Sequence, residues 1–143
     1  MQISDVGLDL IKTLEGFRGD AYRDLRGVVT IGYGHIGADV HIGDRIDAEQ
    51  AMRLLMDDLA RAQACVNTIA QGRELTQGQF DALVSLTFNI GCTAMQDSVL
   101  AHDVHLGAMQ LALVEMFRWV HVNGEMSQGL LNRRMAEARR FVS

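Results

Sequence analysis

The sequence predicts an α+β fold, with a small β lobe and a mostly helical lobe joined by a long helix. Three observations predict it. The chain opens on a short stretch of helical periodicity, and a glycine-rich, β-branched stretch follows over residues 17–44. From residue 47 onward the apolar pattern returns to helical spacing. Strands and helices are therefore segregated along the chain, which argues against a wound parallel sheet. The 143 residues read as one domain: a first helix and β lobe over about 1–46, a connecting helix over about 47–72, and a helical lobe over about 73–143.

Each element has a local reason. Ser4 can cap a helix whose apolar face is Val6, Leu10, Ile11 and Leu14, with Gly16 after Glu15 as its terminator. Asp24-Leu25-Arg26-Gly27 suits a turn, with Asp at the first position and Gly at the last. Val28-Val29-Thr30-Ile31 is β-branched throughout and reads as the returning strand of a hairpin or meander. Asp47-Ala48-Glu49-Gln50 resembles a capping box, and Ala51, Leu54, Leu55, Leu59, Ala62, Val66 and Ile69 then make a core-facing stripe. Thr76-Gln77-Gly78-Gln79 repeats the box ahead of Phe80, Leu83, Val84, Thr87 and Ile90, and Gly91 ends that helix. Residues 94–141 are helical in pattern, with breaks expected near Gly107 and at Asn123-Gly124, and with Leu111, Val114 and Trp119 expected in the core.

Composition narrows the function classes. The chain is 48% hydrophobic and 22% charged with no biased tract, so it is not a disordered segment. A net charge of −5 lacks the basic excess of a nucleic-acid binder. The C-terminal run Arg133, Arg134, Arg139 and Arg140, with Glu137 inside it, reads first as a solvated helix face and second as an attraction for an anionic polymer. Cys65 and Cys92 lack metal-ligand spacing; free buried thiols are the expected reading, with a single disulfide as the alternative. The five histidines form no zinc motif, so no metal site is expected. No proline occurs, and nothing in the pattern explains that absence.

The residues with chemical potential lie in the first third. Glu15 closes a helix, where the negative pole of the helix dipole disfavours a second negative charge, and Leu14 and Phe17 can add desolvation. Asp24 sits at the mouth of a polar turn, where it can stay solvated and ionised. A carboxyl that keeps its proton beside one that loses it is the pair that glycoside cleavage commonly uses. Thr30, on the returning strand, offers a hydroxyl to hold a water. Singly, each has an ordinary alternative: a surface Glu, a turn-forming Asp, a strand Thr.

In combination they resemble a known family. Glu15, eight residues, Asp24, five residues and Thr30 match the Glu–Asp–Thr triad of the phage-type lysozymes, the phage T4 lysozyme-like group of glycoside hydrolase family 24. Glu15-Gly16-Phe17-Arg18 and Thr30-Ile31-Gly32-Tyr33-Gly34-His35 resemble that family's first two signatures. Leu75-Thr76 with Gln79-Phe80-Asp81-Ala82-Leu83-Val84-Ser85, then Phe88-Asn89-Ile90-Gly91, Phe117-Arg118-Trp119 and Gly129-Leu130 with Arg133-Arg134 and Ala136-Glu137, follow in order. The resemblance spans nearly the whole chain. It departs from the family at Glu74 and Gln128, where proline is common, which bears on loop stiffness rather than chemistry.

The resemblance implies a lysozyme-like fold and hydrolysis of the β-1,4 bond between N-acetylmuramic acid and N-acetylglucosamine in peptidoglycan. Glu15 is then the general acid, Asp24 the charge stabiliser, base or nucleophile, and Thr30 the residue that positions water. Ile36, Phe88 and Ser98 would line the sugar-binding surface, and His35 would be structural. No cofactor is implied, and the expected partner is peptidoglycan, with no nucleic acid, no membrane insertion and a monomeric state. Met1-Gln2-Ile3-Ser4-Asp5 lacks the basic start and apolar block of a secretory leader, so the expected product is made in the host cytoplasm and acts on the wall after release. A lytic transglycosylase and a non-catalytic wall-binding or tail module are the alternatives. The first needs an acid without a water-activating partner, and the second tolerates loss of a triad member.

Overall fold

In the computed structural model, which describes residues 1–143, the chain runs through the expected α+β order. The elements are α1 (Asp5–Glu15), β1 (Arg18–Arg23), β2 (Val29–Gly32), β3 (His35–Ile36), α2 (Ala48–Ile69), α3 (Gln77–Ile90), α4 (Cys92–Gln96), α5 (Val99–Leu106), α6 (Met109–Glu115), a 3-10 turn (Met116–Arg118), β4 (His121–Val122), β5 (Glu125–Met126) and α7 (Gln128–Phe141). No helix is long and apolar enough to cross a membrane. The backbone clusters into two compact units, one of residues 11–60 and one of residues 1–10 with 61–143.

The 11–60 unit is built on an antiparallel sheet in the order β1-β2-β3. Asp24 makes the turn as its sequence suggests: its backbone carbonyl accepts from Gly27 N–H at 2.9 Å, and its backbone N–H donates to Val28 O at 2.9 Å. Beyond the turn Tyr22 pairs with Thr30 and Arg23 with Val29, while an irregularity lies between Arg18 and Tyr22. On the other side of β2, Thr30 pairs with Ile36 and Ile31 with His35. The loop leading to α2 is pinned to β1, since Ala21 N–H donates to Asp44 O at 3.0 Å and Ile46 N–H to Gly19 O at 2.9 Å. The capping box of α2 forms in both directions, Gln50 N–H to Asp47 Oδ1 at 2.8 Å and Asp47 N–H to Gln50 Oε1 at 2.9 Å. Ile11, Ile31, Val40, Ala51, Leu55 and Leu59 are its buried apolar residues.

In the other unit α3 is buried continuously from Phe80 to Thr87, and its Thr76–Gln79 capping box is complete. Gly78 lets α7 approach α3: a Cβ there would lie 2.3 Å from the Arg140 carbonyl oxygen. Ser4 caps α1, accepting from Gly7 N–H at 3.1 Å. Gly107 ends α5 in the left-handed conformation, and the Asn123–Gly124 break is the turn of the β4–β5 hairpin rather than a gap between helices.

Four sequence expectations fail here. Val6, read as part of the apolar face of α1, is exposed. Cys65 and Cys92 are not free thiols: they form a disulfide with Cα atoms 5.9 Å apart, linking α2 to the first residue of α4. Leu111 and Val114 are exposed and Trp119 is half-buried rather than core; in the short α6 the inward position is Ala112, followed one turn on by Met116 of the 3-10 turn. The C-terminal charge run is mostly not a solvated face, because Arg133, Arg134 and Glu137 are buried. Glu137 Oε1 accepts from the Ser85 hydroxyl at 2.6 Å, Arg133 Nε at 3.1 Å and Arg134 Nη2 at 3.2 Å, while its Oε2 lies 2.7 Å from Arg134 Nε. Arg134 Nη2 also donates to Asn89 Oδ1 at 2.8 Å. A second knot joins Asp81 Oδ2 to the Ser4 hydroxyl at 2.5 Å and to Arg140 Nη2 at 2.6 Å, and Oδ1 to Gln77 Nε2 at 2.8 Å. Arginine enters such interiors because its planar fork stays charged while several donors are satisfied at once. Burial pushes the Glu137 carboxyl above its ordinary range against the pull of Arg134 and Arg133. At Asp81 burial acts the same way but is outweighed by Ser4, Arg140 and Gln77, so its carboxyl is held low.

Candidate active site

Glu15, Asp24, Thr30 and Ile36 all lie in the 11–60 unit, whereas Phe88 and Ser98 belong to the other. Glu15 is the last residue of α1 and is half-buried. Its carboxylate lies against the turn between β2 and β3: a Cβ built on Gly34 would stand 3.0 Å from Glu15 Oε2. Gly34 has φ +80°, a conformation that L side chains rarely adopt, so both space and backbone select glycine there. The neighbouring Tyr33 ring stacks at a tilt on Phe17, with centroids 5.6 Å apart, and Lys12 Nζ lies 5.9 Å from its centroid.

Asp24 is held by the turn it starts. Its Oδ1 accepts from Arg26 N–H at 2.8 Å and Val28 N–H at 2.9 Å, which fixes the carboxylate's orientation, and Oδ2 lies 3.9 Å from Arg26 Nη2. Thr30 is buried at the centre of the sheet, and its hydroxyl donates to Val28 O at 3.0 Å. That bond uses the hydroxyl's proton and leaves acceptor capacity on the oxygen. Directly paired residues of an antiparallel ladder share a face, so Tyr22, Thr30 and Ile36 form one row across the three strands, with Ile36 half-exposed at its end. In the other unit Phe88 is half-buried on α3. Ser98 is the N-cap of α5: its hydroxyl accepts from Ala101 N–H at 3.0 Å and donates to Met95 O at 2.6 Å.

The sequence reading misses three neighbours of this site. Gly34 hides among the other glycines of its segment, and Tyr22 lacks a motif of its own. The third is the pair of carboxylates on His35, whose Nδ1 lies 2.8 Å from Asp58 Oδ2 and Nε2 3.2 Å from Asp39 Oδ2. Burial disfavours charge on that imidazole, but the two carboxylates outweigh it and raise its pKa above the ordinary histidine value. Neither contact is readable along the chain, because a four-residue spacing brings side chains together on a helix and not across this strand end and turn, and Asp58 lies 23 residues on.

The arrangement offers one carboxyl over a tight glycine turn, a second oriented by a hairpin turn, and a buried hydroxyl two residues into the returning strand. The family described as Phage lysozyme matches residues 12–137, and the chain belongs to that family. It is 43% identical over 147 residues to an endolysin of Acyrthosiphon pisum secondary endosymbiont phage 1, covering 100% of this chain and 99% of that protein. It is 39% identical over 145 residues to an endolysin of Bacillus phage B103, of which it spans about half (55%) while being covered in full itself (100%). Among solved structures, the muramidase domain of SpmX from Asticaccaulis excentricus superposes with a TM-score of 0.91 at 38% identity, covering 99% of this chain and 98% of that one.

Proposed function

We propose that this protein is a lysozyme of the endolysin type, of glycoside hydrolase family 24 and T4-like in its triad, that hydrolyses the β-1,4 bond between N-acetylmuramic acid and N-acetylglucosamine in peptidoglycan. The observation that carries the reading is the placement of Glu15, Asp24 and Thr30 in one compact unit, each held by local backbone: the β2–β3 turn beneath Glu15, the Asp24–Val28 turn around Asp24, and the ladder around Thr30. Endolysin and muramidase relatives over the whole chain support it. Glu15 protonates the leaving glycosidic oxygen. Asp24 steadies the positive charge that develops on the sugar or activates water, and Thr30 holds that water. Ile36, Phe88 and Ser98 are each proposed as a separate saccharide contact. The protein acts as a monomer, without cofactor or nucleic acid, on the wall after leaving the host cytoplasm.

The test is clearance of outer-membrane-permeabilised Gram-negative cells, followed by product analysis. Wild type clears the suspension and releases reducing ends, and Glu15→Gln does not clear it. Equal clearance by both proteins removes Glu15 from the chemistry. Anhydro-muramic ends in place of reducing ends make the enzyme a transglycosylase, and no clearance by wild type leaves a wall-binding module. Asp24→Asn loses activity steeply while its circular dichroism is unchanged; retained activity excludes Asp24 from the mechanism.

A further inference from the structure

The turn that seats Glu15 is tied down by charge. Gly34 precedes His35, whose ring is held from two sides, by Asp58 of α2 at 2.8 Å and by Asp39 of the following loop at 3.2 Å. Only an imidazolium donates from both ring nitrogens. When the ring loses its proton, one nitrogen presents a lone pair to a carboxylate, and one of the two anchors becomes a repulsion. The Ile31–His35 pair closes the turn and Gly34 sits at φ +80°, so the backbone beneath the carboxylate has little freedom to move independently of His35. The charged groups around the ring are Asp58 from α2 and Asp39 from the loop. Further out, His41 acts on Asp39 and lies 3.7 Å from Asp44. From α1, Glu15 faces the turn at Gly34 and Lys12 faces it at Tyr33.

We propose that His35 is a positioning residue for Glu15: as an imidazolium clamped between Asp58 and Asp39 it fixes the Tyr33–Gly34 turn beneath the Glu15 carboxyl, and loss of its proton releases that turn. The inference rests on Glu15 being the catalytic acid. It adds to that reading an alkaline limit on activity set by a residue that touches no substrate. Because Asp58 and Asp39 outweigh the effect of burial, that limit lies on the alkaline side of histidine's ordinary value of 6.5.

Two measurements on the full chain test it. In the first, the Glu15 side-chain carboxyl carbon is followed by NMR from about pH 5 to about pH 10, beside the His35 imidazole. Glu15→Gln identifies the carboxyl resonance. The Glu15 resonance is expected to change at the His35 midpoint, and Asp39→Asn and Asp58→Asn should each move that change and the His35 midpoint down together. No inflection, or one that stays where it is while His35 moves, overturns the proposal whether or not the protein cleaves peptidoglycan. In the second, kcat on solubilised peptidoglycan should fall about tenfold as pH passes the His35 midpoint, with KM changing by less than about twofold. In Asp39→Asn that limb should move down with the His35 midpoint. Gly34→Ala, which strains the turn at φ +80° and sets a Cβ 3.0 Å from Glu15 Oε2 while removing no charge, should lower kcat about tenfold on the acid side of the limb and flatten the limb itself. A limb that stays fixed in Asp39→Asn, or a loss confined to KM, overturns the positioning role. Absence of any cleavage by wild type sinks the lysozyme reading instead, and the NMR titration then decides the role of His35 alone.

Discussion

The two compact units put their charges to opposite uses. In the unit of residues 1–10 and 61–143 the ionic groups go inside: Asp81, Arg134 and Glu137 have no exposed surface, and their partners close around them. In the 11–60 unit most of the organising charges stay near water, the His35 clamp, whose imidazole is 12% exposed, being the exception. The Arg45–Asp20 pair has side chains 80% and 70% exposed, Asp24 works on a surface turn, and Asp47 caps a helix start. Exposed pairs contribute little because water screens them, whereas breaking a buried pair costs about 3–5 kcal/mol. The difference teaches where stability and chemistry are separable. In one unit polar groups set the shape of turns that present Glu15 and Asp24. In the other they are part of the core, and their loss is a loss of fold.

Paired substitutions break or sharpen this contrast. Glu15→Gln should lower wall-clearing activity by about 10²–10⁴-fold, the usual contribution of a general acid, with stability within about 0.5 kcal/mol of wild type. Glu137→Gln should act in the opposite way. It strips the anion from two buried guanidiniums and should cost about 3–5 kcal/mol in urea denaturation. If Glu137→Gln loses less than about 1 kcal/mol, the buried knot is not what holds α3 to α7. Next in size is the disulfide. The Cys65–Cys92 bridge spans 27 residues, and a chain-entropy estimate for such a loop is about 3–4 kcal/mol. Cys65→Ser should lose about that much, and a reductant should destabilise wild type by the same amount while leaving Cys65→Ser unmoved. A reductant effect that persists in the variant would place the effect elsewhere.

The stability–pH profile has an acid and an alkaline limb, and one group in each unit gives a test of each. Asp81 is held below its ordinary value of 3.8, so its contribution is present above that value and is lost as pH falls through its lower folded pKa. His35 is raised above 6.5, so its contribution is present below that value and is lost as pH rises through its folded pKa. The melting temperature should therefore have an acid limb that Asp81→Asn flattens and an alkaline limb that His35→Gln flattens. An alkaline limb that survives His35→Gln, or an acid limb unchanged in Asp81→Asn, would contradict these assignments.

What the sequence discloses follows from range. Caps and turns are local, so Ser4, Asp24, Asp47 and Thr76 are legible and take their expected roles. Glu15, Asp24 and Thr30 become candidates through their spacing and the motifs around them, but nothing along the chain tells that Gly34 lies under Glu15. The Ser85–Glu137 bond joins residues 52 apart and Arg134–Asn89 residues 45 apart, so a run that is polar on paper is interior in space. Leu111 and Val114 mislead because a seven-residue helix shows too little periodicity to distinguish its inner face from its outer one. The β4–β5 hairpin escapes because its strands are two residues each, too short to alternate, although Asn123-Gly124 is the turn such hairpins favour.

The smallest predicted effect is the control for the contrast. Each unit contains one complete capping box, Asp47 with Gln50 ahead of α2 and Thr76 with Gln79 ahead of α3. The bonds are alike, with the cap side chain accepting at 2.8 Å in the first and 3.2 Å in the second. A cap satisfies backbone N–H groups of its own first turn, so its worth depends on local geometry and not on what the rest of the unit buries. Asp47→Ala and Thr76→Ala should therefore each cost about 1 kcal/mol in urea denaturation, equal within about 0.5 kcal/mol, with wall-clearing activity of the folded protein retained in both. If Asp47→Ala instead costs activity at unchanged stability, the cap belongs with the turns that shape the site. If Thr76→Ala costs several kcal/mol, even the surface polar groups of its unit behave as core, and the line between the units falls outside the buried knots rather than at them.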